Sequence, residues 1–231
     1  MDSQGGNTSE EAIPRPIPGH KGEPRWAMAA AVLAAELLHL TLPGQVRAIA
    51  AWIYPVIGIG LLLVLVIGDP GRITNRANWI RVVTALLIAS ITIDNAFNAI
   101  HLVQLIVANA KLGTATHLLG TGASIWLINV ITFGLWYWDL DQGGAAERAA
   151  GTTRLPAFLF PEMTNPEVVK AGWYPELIDY LHMSFATATA FSPTDVSAIK
   201  HWSKMLMTFE SAVSLLLAVF VVARAINILP S

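Results

Sequence analysis

Long apolar runs alternate with short polar segments along this chain, and the runs have the length and composition of helices. A helix that crosses a bilayer needs about 20 apolar residues, because each residue adds about 1.5 Å and the hydrocarbon is roughly 30 Å thick. We therefore predict an all-α, polytopic transmembrane helix bundle with five spans and one shorter fifth segment. The predicted helices are Trp26 to Leu42, Val46 to Gly68, Trp79 to Ala108, His117 to Trp138, Leu177 to Phe191 and Trp202 to Leu229.

The fifth segment, residues 177–191, is too short for an ordinary span. Its roughly 15 residues would reach only about 22 Å as a helix. Two interpretations follow from this length. The segment is either a tilted sixth span or a re-entrant helix that enters the membrane and returns to the side it came from.

The polar stretches divide the chain into an arm and one membrane domain. Residues 1–25 are polar and rich in Pro and Gly, so we predict an N-terminal arm rather than a signal peptide. Residues 26–231 then form a single transmembrane domain. Its long interhelical loop, residues 139–174, has an apolar centre at Leu155 to Pro161, which we expect to lie on the membrane surface or on a partner.

Composition agrees with a membrane location and excludes several functions. The 231 residues are 54% hydrophobic and 13% charged, whereas soluble proteins average about 25% charged residues. A protein of this kind has the lipid bilayer as its main partner. The net charge of -2 indicates no nucleic-acid partner, and the absence of cysteine excludes disulfides and thiolate metal sites.

The distribution of basic residues predicts an orientation. If all six segments cross, one side carries ten Lys and Arg residues and the other carries four. The positive-inside rule then places both termini in the cytoplasm. The ten are Arg15, Lys21, Arg25, Arg72, Arg76, Arg81, Arg148, Arg154, Lys170 and Arg224, and the four are Arg47, Lys111, Lys200 and Lys204.

Polar side chains within the predicted spans are the main functional candidates, because burying an acid in a membrane costs about 2.5 to 3.5 kcal/mol on insertion scales. They lie on one face of the third helix and, one turn apart, on the first helix. Such residues form an ion or proton path, or they hydrogen-bond across helices and specify packing. The candidates are Ser90, Asp94, Asn98 and His101 on the third helix, and Glu36 and His39 on the first.

A metal site is a weaker possibility at the same positions. Helix bundles that hold two metal ions use Glu-x-x-His motifs on neighbouring helices. Glu36 and His39 form such a motif, and Asp179 and His182 form a related one. The identity of any metal or cofactor is left open by the sequence.

The segment that follows the fifth helix has the pattern of a potassium-channel pore, in which a short helix is followed by a Thr-rich turn and an acid. A potassium filter aligns backbone carbonyls and depends on glycines. Here Ser, Pro and Thr occupy the positions of Gly-Tyr-Gly, so the residues indicate either a modified constriction or the N-cap of the next helix. The pore-like residues are Thr187, Thr189, Ser192, Thr194 and Asp195.

Three motifs in the C-terminal half carry a family resemblance. The runs WYWDLD (136–141), FLFPEM (158–163) and FSPTD (191–195) resemble those of a family of uncharacterised bacterial multi-span membrane proteins. The resemblance covers residues 125–229 and implies a helical membrane fold in the inner (plasma) membrane of a bacterium. A more distant similarity of the last two helices implies kinship with two-helix potassium-channel pore modules.

Together these features predict transport rather than catalysis. The chain has no nucleotide-binding loop, nucleophile elbow or zinc-protease motif, so we predict that it is not an enzyme. The first hypothesis is an ion or proton transporter, working as a homo-oligomer if the last helices build a shared pore. The alternative is a non-catalytic accessory or scaffold subunit of a larger membrane complex.

Overall fold

The computed structural model describes residues 21–47, 49–50, 52–151, 154–165, 167, 173–189 and 195–228, and helices dominate them. The prediction of a mainly helical protein is confirmed. Two short antiparallel strand pairs, β1 with β2 and β3 with β4, and one 3₁₀ turn, Asp141–Gly143, connect the helices. The elements are β1 Glu23–Pro24, α1 Arg25–Thr41, α2 Ile53–Gly68, β2 Arg72–Ile73, α3 Asn78–Val107, α4 Ala115–Leu140, α5 Ala145–Ala149, β3 Phe158–Leu159, α6 Pro161–Thr164, α7 Leu177–Thr189, β4 Ser197–Ala198 and α8 His201–Ile228.

Three helices in the described part of the chain are long and apolar enough to cross a membrane. They are α3, α4 together with the 3₁₀ turn, and α8. The helix α2 is apolar but has 16 residues, and α1 has 17. Length and composition thus identify three of the five predicted spans.

The long helices run between two ends of one bundle, which we call proximal and distal. At the proximal end α1 begins and α2 ends, where the Arg25 guanidinium donates to the Asp69 carboxylate at 2.5 Å. The end of α4 lies there too, because the Trp138 indole donates to Glu23 at 2.9 Å. At the distal end an apolar cluster joins the end of α1 to the start of α4 and the end of α8. Its members include Leu42, Val46, Leu112, Ala115 and Ala225.

The short helix α7 and the long helix α8 both begin at the proximal end. The backbone N–H of Leu177 donates to Glu23 at 3.0 Å, and the Phe158 ring packs against both Tyr180 and Trp202. The two helices then run in the same direction, since the Ser211 hydroxyl donates to the Thr187 carbonyl at 3.1 Å. The chain has therefore returned to the proximal end by Ser197, and α7 enters the bundle without leading across it.

This geometry favours the re-entrant interpretation of the fifth segment over a sixth crossing. It also separates the two ends of the described chain. Near the start of the described chain, Arg72 donates to the carbonyl of Gly22 at the proximal end. Near the end of the described chain, Arg224 donates to the carbonyl of Ala110 at the distal end. The prediction that both termini share one side assumed six crossings, whereas the two ends of the described chain lie at opposite ends of the bundle.

The apolar centre of the long loop folds onto the proximal end. Ala157 and Phe158 are fully buried and Phe160 is nearly so. Phe158 stacks edge-on against Tyr137 of α4, with the ring centroids 5.0 Å apart. The bundle itself therefore covers Ala157, Phe158 and Phe160, whereas Leu155 is 60% exposed. The expectation that this centre meets the membrane surface or a partner stays a prediction for its exposed part.

Candidate functional site

Four of the six predicted path residues come together between α1 and α3. Glu36 and His39 lie one turn apart on α1, and Asp94 and Asn98 lie one turn apart on α3, since residues three or four apart share a helix face. All four are buried, with exposed fractions between 0% and 6%. The shared face explains why these side chains point between the helices.

The central contact of this cluster joins an imidazole to a carboxylate. Nδ1 of His39 lies 2.6 Å from Oδ2 of Asp94, and the Asn98 amide donates to the other oxygen of Asp94 at 3.1 Å. Neither ring nitrogen of His39 has an aligned hydrogen-bond partner among the described residues. The Nδ1 contact is therefore close but not aligned as a hydrogen bond, and Nε2 is a buried polar atom without an aligned partner among the described residues.

A glycine of α2 closes the third side of the cluster. A Cβ atom built on Gly58 would lie 2.1 Å from Oε1 of Glu36, so only glycine allows the carboxyl group to rest against the α2 backbone. A Cβ atom built on Gly60, two residues further along α2, would have no other atom within 4 Å. The small residue at Gly58 lets α2 approach the Glu36 carboxyl group of the cluster. The sequence shows that a glycine is present there, but not which side chain it meets.

Ser90 and His101 extend the polar stripe along α3 on either side of the cluster. The Ser90 hydroxyl donates to the Leu87 carbonyl of its own helix at 2.7 Å. His101 is half-buried, about one turn beyond Asn98. The predicted stripe is thus present, but the acid–imidazole contact is confined to its middle.

The second metal-like pair lies elsewhere in the fold. Asp179 accepts a hydrogen bond from the backbone N–H of Glu176 at 2.8 Å, at the start of α7, and His182 is exposed. Glu36 and His39 are in the second half of α1, which starts at the same end as α7. Across the described ranges, no group of three or more His, Asp or Glu side chains is arranged to hold a metal ion.

The pore-like residues divide between α7 and the chain that follows it. The hydroxyls of Thr187 and Thr189 donate to the Met183 and Ala186 carbonyls of their own helix. Asp195 is exposed at the proximal end. Ser192 and Thr194 lie outside the described residues.

The alternative reading of Asp195 as part of a helix cap is wrong. Between this residue and α8 the chain forms β4, and α8 begins only at His201. β4 pairs with β3, with Ala198 opposite Phe158. The strand pairing delays the helix, and this long-range contact has no local sequence signal.

A buried polar clamp at the proximal end was not anticipated from the sequence. Glu23 accepts from Trp138, from the backbone of Leu177 and from Arg148, whose guanidinium lies 3.1 Å from the carboxylate. Arg148 also donates to the backbone carbonyls of Trp138 and Asp141. The clamp therefore ties α4, α5, α7 and the segment before α1 together.

Neighbouring groups favour the charged form of Arg148. Burial by itself lowers the pKa of the Arg148 guanidinium, but the Tyr180 hydroxyl and the Glu23 and Asp141 carboxylates raise it above its ordinary value. The guanidinium also lies over the Tyr180 ring, 5.0 Å from its centroid. Glu23 and Arg148 could have been found only by noticing that two charged residues flank predicted spans at the same end.

A second buried acid, Glu210 of α8, lies at the junction of α4, α7 and α8. It contacts the hydroxyls of Tyr137 and Ser184 and is fully buried. One helical turn further along α8, the Asn129 amide donates to Ser214 at 3.0 Å. The α1–α3 cluster and this junction are thus two separate polar sites within an apolar bundle.

Comparisons of the chain with protein-family models, with curated proteins and with solved structures found no match. The family resemblance of residues 125–229 accordingly stays a prediction, and the functional argument depends on the geometry of the chain itself.

Proposed function

We propose that the chain is a multi-span protein of a bacterial inner membrane that moves protons through the cluster of Glu36, His39, Asp94 and Asn98. The observation that carries this proposal is the 2.6 Å contact between His39 and Asp94, made inside the bundle by an imidazole whose Nε2 has no aligned partner among the described residues. A buried polar atom without a partner is costly, and such atoms concentrate where function requires them.

The chemistry of the cluster favours protons over larger ions. Imidazole exchanges protons near neutral pH, with an unperturbed pKa of about 6.5, and carboxylates are its usual relay partners. A hydrated cation would need oxygen ligands and space, whereas His39 and Asp94 are in direct contact and nearly inaccessible. A proton needs only a sequence of such contacts and a small rotation of the ring.

We further propose five crossings, by α1, α2, α3, α4 and α8, with α7 re-entrant. At about 1.5 Å per residue α1 and α2 are roughly 26 and 24 Å long, and bilayers thin to match helices of this length. Exposed tryptophans, Trp26 and Trp52, stand at the ends of these two helices, where aromatic rings favour the headgroup layer.

The basic residues support a cytoplasmic proximal end. Nine described Lys and Arg residues lie at or near the proximal end and three lie at or near the distal end. With five crossings, the positive-inside rule therefore places the proximal end in the cytoplasm. The C-terminus would then be on the opposite side from the N-terminal arm. The nine are Lys21, Arg25, Arg72, Arg76, Arg81, Arg148, Arg154, Lys200 and Lys204, and the three are Arg47, Lys111 and Arg224.

Labelling of single cysteines tests this topology, since the chain has no native thiol. We expect Glu176→Cys and Asp195→Cys to react with an impermeant maleimide from the cytoplasmic side. Lys111→Cys should react from the periplasmic side. Labelling of positions 176 and 195 from opposite sides would show a sixth crossing and contradict the re-entrant helix.

Proton flux in proteoliposomes, followed with a trapped pH-sensitive dye, tests the proposed function. The wild-type protein should dissipate an imposed pH gradient faster than protein-free liposomes do. Gly58→Ala should slow this flux by about ten- to a hundred-fold, because the new methyl group displaces the Glu36 carboxyl group and misplaced relay groups lose rate on this scale.

Gly60→Ala is the matched control, because it adds the same methyl group two residues away where nothing lies within 4 Å. Its flux should equal that of the wild type. A wild-type protein without flux above background would sink the proposal and favour the accessory-subunit alternative.

The proposed route needs only one copy of the chain. The polar residues Ser203, Glu210 and Ser214 of α8 are buried within the bundle, while its outward face carries large apolar side chains such as Leu215 and Val219. An outward face of this composition suits lipid better than a water-filled pore shared between copies.

A further inference from the structure

The junction of α4, α7 and α8 contains more hydrogen-bond contacts than its hydroxyl protons can supply if Glu210 is ionised. The Ser184 hydroxyl lies 2.7 Å from the carbonyl oxygen of Val130 and also contacts Oε1 of Glu210. The Tyr137 hydroxyl contacts the other oxygen, Oε2. A serine hydroxyl has a single proton to donate, and a carbonyl oxygen can only accept.

An ionised Glu210 would leave one of these contacts without a proton. If Ser184 donated to the carboxylate, its oxygen would face the Val130 carbonyl at 2.7 Å as acceptor against acceptor. If Ser184 donated to Val130, its oxygen would face the carboxylate in the same way. A protonated Glu210 satisfies every contact, because its O–H donates to Ser184, Ser184 donates to Val130, and Tyr137 donates to Oε2.

The surroundings of Glu210 also favour the neutral form. The side chain is fully buried, and no Lys, Arg or His of the described chain forms an ion pair with it. The titratable group that faces it from α4 is Tyr137; from α7 the contacting group is Ser184, which does not titrate. An unpaired buried charge is among the most costly features a protein can hold, so such groups are neutralised.

We propose that Glu210 is a proton-binding site that holds its proton in the folded protein and thereby holds the re-entrant helix α7 against α4 and α8. The proton completes a chain of donors from Glu210 through Ser184 of α7 to the Val130 carbonyl of α4. Losing it would break one link of this chain and place a charge where α7 meets α8. The inference does not depend on proton flux through His39 and Asp94.

Infrared difference spectroscopy on the purified full-length protein tests the protonation directly. Subtracting the spectrum of Glu210→Gln from that of the wild type should reveal the C=O stretch of a protonated carboxylic acid, with the small downshift in D₂O that marks an exchangeable proton. A difference spectrum with carboxylate bands instead would overturn the proposal.

Ser184→Ala provides the second variant, in which Glu210 is retained and its acceptor is removed. The same carboxylic-acid band should shift to higher frequency, because a C(=O)OH group that donates no hydrogen bond has a stiffer C=O bond. An unshifted band would contradict the Glu210-to-Ser184 contact, even if Glu210→Gln failed to fold.

The dependence of thermal stability on pH tests whether protonated Glu210 holds α7 in place. A group that is protonated when folded and ionised when unfolded makes unfolding easier as the pH rises. The thermal midpoint of the wild type should therefore fall more steeply than that of Glu210→Gln as the pH rises from about 4.3, the ordinary pKa of a glutamate in an unfolded chain, towards neutral pH. The amide of the variant can donate to Ser184 at every pH. Parallel pH profiles would overturn the proposed site.

Discussion

Replacing Asp94 with asparagine is expected to lower proton flux by about 100-fold or more, the scale on which a positioned acid or base contributes to proton transfer. The asparagine side chain has nearly the shape of aspartate but carries no exchangeable acid proton. It replaces the carboxyl group that lies 2.6 Å from Nδ1 of His39 with an amide. Flux in proteoliposomes under a pH gradient measures the effect.

The fold should survive this change, since the asparagine Oδ1 can still accept from Asn98, which donates to Asp94 at 3.1 Å. Asp195→Asn is the matched control: it makes the same chemical change at an exposed position in the pore-like segment. Full flux in Asp94→Asn would mean that the cluster serves packing alone. A loss of flux in Asp195→Asn, with Asp94→Asn unaffected, would move the route to the pore-like residues.

The second large effect concerns stability. Arg148→Met should lower the free energy of unfolding by about 3–5 kcal/mol, the usual cost of removing one partner from a buried ion pair. Glu23 would remain 2% exposed without its counter-charge, and the carbonyls of Trp138 and Asp141 would lose their donor. Chemical unfolding in detergent, followed by tryptophan fluorescence, gives the measurement.

Arg76→Met is the matched comparison. Arg76 pairs with Glu147 at 2.8 Å, a shorter distance than in the clamp, but its side chain is 50% exposed. Pairs of this kind contribute at most about 1 kcal/mol. Equal effects of the two substitutions would show that the clamp does not hold the proximal end together.

A double variant shows how much of the lost stability comes from the unpaired charge of Glu23 and how much from the other lost contacts of Arg148. Adding Glu23→Gln to Arg148→Met should recover part of the stability, because the amide removes the unpaired charge while still accepting from Trp138 and Leu177. No recovery would indicate that packing around the arginine, rather than its charge, supplies the stabilisation.

Many helix boundaries follow from local properties of the chain, although the predicted start of the second helix at Val46 is wrong, because α2 begins at Ile53. The predicted segments Trp79 to Ala108 and Trp202 to Leu229 differ by one residue at each end from α3, Asn78–Val107, and α8, His201–Ile228. A helix satisfies its own backbone hydrogen bonds, so an apolar run bounded by polar or turn residues is sufficient to predict it. The polar stripe on α3 is local in the same sense, because it needs only the 3.6-residue period.

The partners of that stripe are not local. Asp94 has many possible neighbours in the sequence. The packing of both α1 and α3 against α2 and α4, with Gly58 of α2 close to Glu36, selected His39 and Glu36. Asp179 and His182 have similar spacing to Glu36 and His39, yet the bundle puts them at the start of α7. Spacing within one helix therefore indicates which side chains share a face, and the packing of several helices decides what that face meets.

The composition and periodicity of the chain determined a helical membrane-type bundle and the residues that must avoid lipid. The tertiary structure alone decided that the chain after α7 lies again at the end where α7 began, that Phe158 belongs to the core, and that Glu23 and Arg148 join across 125 residues of sequence. The physical reason is that helix formation depends on neighbouring residues along the chain. The strand pairing and buried ion pairs depend on segments that meet only after the helices have packed.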